Sequence, residues 1–203
     1  MSLIARLLGG DDDEAKDRIE TAQDAADDAL DASVNPDTHG LEEFGITGVA
    51  VVNEGPDGEP VTVPIARFSL GKDVDELDRD SVWPLVAAGV EAMFDAFDRE
   101  GVFVRHYDVQ FAFGGKGLFE AEECRRVAIH PELAERFVAD REFDADRLRE
   151  VVEREDDIDD VVAPVAWGEC EDYSAASNAA VVTTAAVGAS AASCGGAGGA
   201  GGC

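Results

Sequence analysis

Three polar residues sit where chemistry is conceivable. In the run Val102 to Phe113, Tyr107, Val109, Phe111 and Phe113 alternate with His106, Asp108, Gln110 and Ala112, the period of a strand. His106 and Asp108 therefore share one face at i and i+2, about 7 Å apart along the chain. An imidazole and a carboxylate at that spacing can pass a proton. Arg126 or Cys124, in the next apolar run, could approach them from a neighbouring strand. His106, Asp108 and Arg126 are the candidate catalytic residues. The competing reading is a solvated polar sheet face, which explains the same pattern without chemistry.

The cysteines form a second group. Cys170, Cys194 and Cys203 are candidate ligands for a soft metal, or sites of oxidation or modification. Cys124 reads as a small core residue, and the four cysteines as reduced thiols of a cytoplasmic protein. Cys124 cannot serve as a nucleophile with His130 as its base: along one strand they stand about 20 Å apart. Gly114-Gly115-Lys116-Gly117 lacks the Ser/Thr and the following helix of a phosphate loop, so it reads as a hairpin turn. His39 stands alone, and no metal-binding spacing of His, Cys or Asp occurs. The sequence points to no cofactor.

These residues need a scaffold. Thr47–Asn53 and Pro60–Leu70 flank the turn 54–59 and read as a hairpin, with Pro60 and Pro64 directing the second strand to a sheet edge. Residues 81–100 carry Val82, Val86, Val90, Met93, Phe94 and Phe97 at helical spacing, with Ser81 as N-cap, Pro84 in the first turn and Gly101 as the stop. Strands 102–113 and 123–129 pair antiparallel. Pro131 opens one helix, Asp144 caps another, and 161–167 is a last extended segment. The order is β-β-α-β-β-α-α-(β): an α+β fold with a mostly antiparallel four- to five-stranded sheet and helices on one face. The expected divisions are 1–43, a short apolar leader and an acidic Ala-rich helix at the periphery; 44–173, the core domain; and 174–203, a disordered tail without a charged side chain.

Charge bounds the function. Forty-five acids oppose sixteen bases, thirteen of them Arg, for a net charge of -29. Screening over about 3 Å in 1 M salt removes most of the resulting self-repulsion. Dense acids, scarce Lys and abundant Ala, Val and Gly resemble the proteins of extreme halophiles. A nucleic-acid ligand is excluded, because Arg125 and Arg126 are the only adjacent bases and make no patch. No apolar run of about eighteen residues suggests a membrane span, and no secretory signal is evident. Localisation reads as cytoplasmic. The Ser/Thr/Cys/Gly-rich tail after a folded leader resembles precursors of ribosomally made, modified peptides, with Ser174, Ser177, Thr183, Thr184, Ser190, Ser193, Cys194 and Cys203 as the positions such modification would use. Three functions follow: a non-enzymatic interaction or regulatory module with a protein partner, which is favoured; a small enzyme using the His/Asp face; or a precursor or thiol/metal protein acting through its tail.

Overall fold

β-branched and aromatic residues dominate two stretches after Gly40, and each becomes a long strand. The computed structural model describes residues 10–56, 58–115, 122–154, 168–170, 173 and 181–182. Its elements are helix α1 (Gly10–Ser33), the short helix α2 (Pro36–His39), strands β1 (Glu43–Glu54) and β2 (Pro60–Gly71), helix α3 (Trp83–Arg99), strands β3 (Tyr107–Phe113) and β4 (Glu123–Ile129), helices α4 (Pro131–Ala139) and α5 (Ala145–Arg154), and the two-residue strands β5 (Gly168–Glu169) and β6 (Val181–Val182). The fold is α+β. The described sheet runs β5-β4-β3-β2-β1-β6, antiparallel except where β2 meets β3.

The β2–β3 pair is parallel because α3 carries the chain back between them. This makes β2 a central strand and corrects the expectation that its prolines mark an edge. Thr62 donates its N–H to Phe103 O, and alternation turns the Pro64 nitrogen toward the same neighbour. There the ladder is interrupted, between the Thr62–Val104 bridge and the Ile65–Asp108 pair, so the missing donor breaks no bond.

One face of the sheet holds the main core. Phe44, Phe68 and Phe111 lie in register across β1, β2 and β3, with ring centroids 6.2 and 5.6 Å apart. α3 lies over them and buries Val86, Val90, Met93 and Phe97. Gly89 lets the helix approach closely, since a Cβ there would stand 3.3 Å from that of Ala66. Gly101, at φ 62°, ends the helix turn as its position suggested. The N-cap position falls at Val82, one residue beyond Ser81, whose hydroxyl bonds to Asp78 O.

α1 is seated more deeply than its thin apolar stripe implied. Ile19, Ala22, Ala26 and Leu30 are buried. Small alanines shorten the distance between packed helices, so dispersion contacts replace bulk. Two polar anchors complete the seat: Gln23 Nε2 donates to Ile46 O at 3.2 Å, and Ile46 N donates to Asp27 Oδ1 at 2.7 Å. The expected strand at 161–167 and the leader 1–9 lie outside the described residues, as does the tail apart from Val181–Val182, which pairs with Ala50 and Val49 of β1.

Candidate functional site

Alternation along β3 turns Val109 and Phe111 to the helices and Asp108 and Gln110 to the opposite face. β4 lies antiparallel, with Arg126 directly across from Gln110 and diagonal to Asp108. The structure thus brings His106, Asp108 and Arg126 together, as their spacing suggested. It does not leave them solvated: exposure is 5% for His106, 0% for Asp108 and 1% for Arg126.

The residue that joins them is Tyr173, which the sequence marked only as the end of the domain. It packs against Ala50 and Val63 on the second face of the sheet, with Val52 and Ile65 beside them. Its hydroxyl donates to Asp108 Oδ2 at 2.9 Å and accepts from Arg126 Nη1 at 2.6 Å. His106 Nε2 lies 3.1 Å from the same oxygen. A phenol has one proton to give. With the phenol's proton directed at Asp108, the contact to His106 is a hydrogen bond when the imidazole holds its proton on Nε2. Gln110 Nε2 (3.1 Å) and Arg126 Nη1 (3.5 Å) also donate to Asp108 Oδ2.

Burial pushes the Asp108 carboxyl above its ordinary range, while the Arg126 guanidinium and the hydrogen bonds from Gln110 and Tyr173 pull it back. This linked set could relay a proton between Asp108 and His106 through the phenol. A substrate would reach it only if Tyr173 moved.

The cysteines correct the sequence reading. Cys124 and Cys170 form a disulfide with Cα atoms 5.4 Å apart. The cause is register: β5 pairs Arg125 with Glu169 and Arg126 with Gly168, which sets Cys170 opposite Cys124 one step further along. Cys124 is therefore neither a reduced thiol nor a plain core residue, and Cys170 is engaged rather than free for a metal. Cys194 and Cys203 lie outside the described residues. Among the described residues, no group of three or more His, Cys, Asp or Glu is arranged to hold a metal ion.

A separate feature lies on the helical side. The end of α3, the segment 102–107 and α4 enclose a groove of about 470 Å³. Phe94, Val104, Tyr107 and Val138 supply apolar walls, and Asp98, Glu132 and Glu135 supply acids. Phe103 lines it as well and is 59% exposed, the one large hydrophobic side chain so exposed among the described residues. Burial, reinforced by Asp98, raises the Tyr107 phenol above its usual value. Sequence reading missed this groove, because its walls come from three separate stretches, and Phe103 between Val102 and Val104 reads as part of an apolar strand.

No helix among the described residues is long and apolar enough to cross a membrane. No family model matches the chain, and neither the curated proteins nor the solved structures contain a match to it.

Proposed function

We propose that this chain is a non-enzymatic interaction module that docks a cationic amphipathic segment of a protein partner in the groove between α3 and α4. The observation that carries this reading is Phe103, a large apolar side chain held toward solvent at the rim of an apolar groove. A single exposed apolar side chain is ordinary on a protein surface, but this one rims a groove with apolar walls, and aromatic anchors in such grooves dominate binding energy. The groove's charged lining is all acidic, so the partner's flanks carry Lys or Arg. The net charge of -29 supports a companion proposal, that the protein works inside cells at high salt, where diffuse attraction between acids and any cation is screened and apolar anchoring decides partner choice.

The test uses a synthetic helical peptide with leucines at i, i+3, i+4 and i+7 and lysines elsewhere, titrated by fluorescence anisotropy in 2 M KCl. We expect saturable binding that Phe103→Ser weakens about tenfold or more. Binding that is absent, or indifferent to Phe103→Ser and to scrambling of the peptide, sinks the proposal. The enzyme alternative draws on the His106–Asp108–Arg126 set and requires Tyr173 to leave it; the precursor alternative rests on the tail, outside the described residues.

A further inference from the structure

We propose that Cys124–Cys170 is a thiol-exchange site, and that its redox state decides whether Tyr173 stays clamped over the His106–Asp108–Arg126 cluster. The inference is independent of the groove. It starts from how the segment carrying Tyr173 is held. Its described attachments are the two-residue ladders of β5 on β4 before Tyr173 and of β6 on β1 after it, the disulfide, and Tyr173 itself, through its hydroxyl to Asp108, Arg126 and His106 and its packing on Ala50 and Val63. A two-residue ladder is a weak tether, so the covalent link is the attachment that sets the register.

Position separates the lock from what it guards. Cys124 and Cys170 are both partly exposed, and their neighbours Glu123 and Glu169 are exposed, so a reductant reaches the sulfurs at this sheet edge. Two residues along β4 on the same face, Arg126 is 1% exposed, and Asp108 beyond it is fully buried. Tyr173 follows Cys170 by three residues, a reach of about 10 Å at most. Breaking the link frees the phenol from a fixed position above two buried charges. Those charges gain hydration when it leaves, which favours the open form once the tether is gone.

The exchange partner is a dithiol. Its thiolate attacks one sulfur of the cystine; the S–S bond breaks, a mixed disulfide forms, and the other cysteine leaves as thiolate and takes a proton. The partner's second thiolate then attacks the mixed disulfide, releasing the remaining cysteine. Two electrons and two protons pass from the dithiol to Cys124 and Cys170, and the dithiol ends as a disulfide. The reverse reaction closes the clamp.

The full chain carrying Cys194→Ser and Cys203→Ser leaves this pair, of the four cysteines, to respond. Hydrogen exchange read by mass spectrometry is compared in 2 M KCl with and without dithiothreitol. We expect reduction to speed exchange about tenfold or more at 168–173 and along the β5-facing edge of β4, with α3 and β2 unchanged. Reoxidation should restore protection, and Cys124→Ser should match the reduced protein and ignore dithiothreitol. Three results overturn the proposal: exchange unchanged on reduction; exchange raised everywhere, α3 included, which makes the bond a staple of the whole fold; or free thiols at Cys124 and Cys170 in protein purified without reductant.

Discussion

Arg126 and Asp108 form an ion pair with almost no exposed surface, and removing one partner should cost far more than removing both. Arg126→Met keeps the length of the stem and deletes the donor to Tyr173 Oη (2.6 Å) and to Asp108 Oδ2 (3.5 Å). Asp108, 0% exposed, then has no counterion and must either hold a buried charge or take up a proton, both at a cost. Breaking a buried pair in this way costs about 3–5 kcal/mol, a large part of the roughly 5–15 kcal/mol that holds a domain folded. Asp108→Val, which strands the guanidinium instead, should cost a similar amount. In the double variant neither charge is stranded. Gln110 and Tyr173 lose an acceptor, at about 1–3 kcal/mol, so the double variant should be more stable than either single one. The assay is urea denaturation in 2 M KCl followed by circular dichroism. A pH series adds a second check. The carboxyl of Asp108 already lies above its ordinary value through burial, and losing Arg126 raises it further. The folded Arg126→Met protein thus holds that proton more tightly than the unfolded chain does. Its stability falls as pH rises through the unfolded carboxyl range and levels off above the folded value, so the penalty shrinks on acidification. If the double variant loses the sum of the single losses, or Arg126→Met loses less than about 1 kcal/mol, the two groups do not act as a buried pair and the reasoning fails.

Leu30→Ala should cost about 2–5 kcal/mol by the same denaturation assay, because that side chain is fully buried beneath α1; a loss under about 1 kcal/mol would return the helix to the periphery. Burial holds the Tyr107 phenol above the ordinary tyrosine value of about 10, so the unfolded chain ionises first and stability should fall as pH rises past that value. Tyr107→Phe should flatten that fall, by as much as about 1.4 kcal/mol per pH unit; an unchanged slope refutes the burial argument. With a net charge of -29, the urea midpoint should climb from 0.1 M to 2 M KCl, and an equal midpoint at both would remove the case for salt adaptation.

Local pattern carried the elements. Alternation at 106–113, the stripe from Val82 to Phe97, Pro131 at a helix start and Gly101 at a helix end each follow from interactions a few residues long, and each stands in the structure. A β-bulge in β1 was invisible: Ile46 and Val49, three apart, both face the core because the register slips between Ile46 and Gly48.

Chain sequence also determined which polar residues share a face, since period two leaves no choice: Asp108 and Gln110 lie together on β3 whatever surrounds them. What covers that face was decided only by tertiary structure. Tyr173 meets Asp108 across 65 residues, and Cys170 meets Cys124 across 46. Closing such loops leaves no local trace, because its entropy depends on chain length rather than on the residues between. The central place of β2 had the same origin: α3 returns β3 to its side, and a proline that signals an edge in isolation falls at a gap in the ladder.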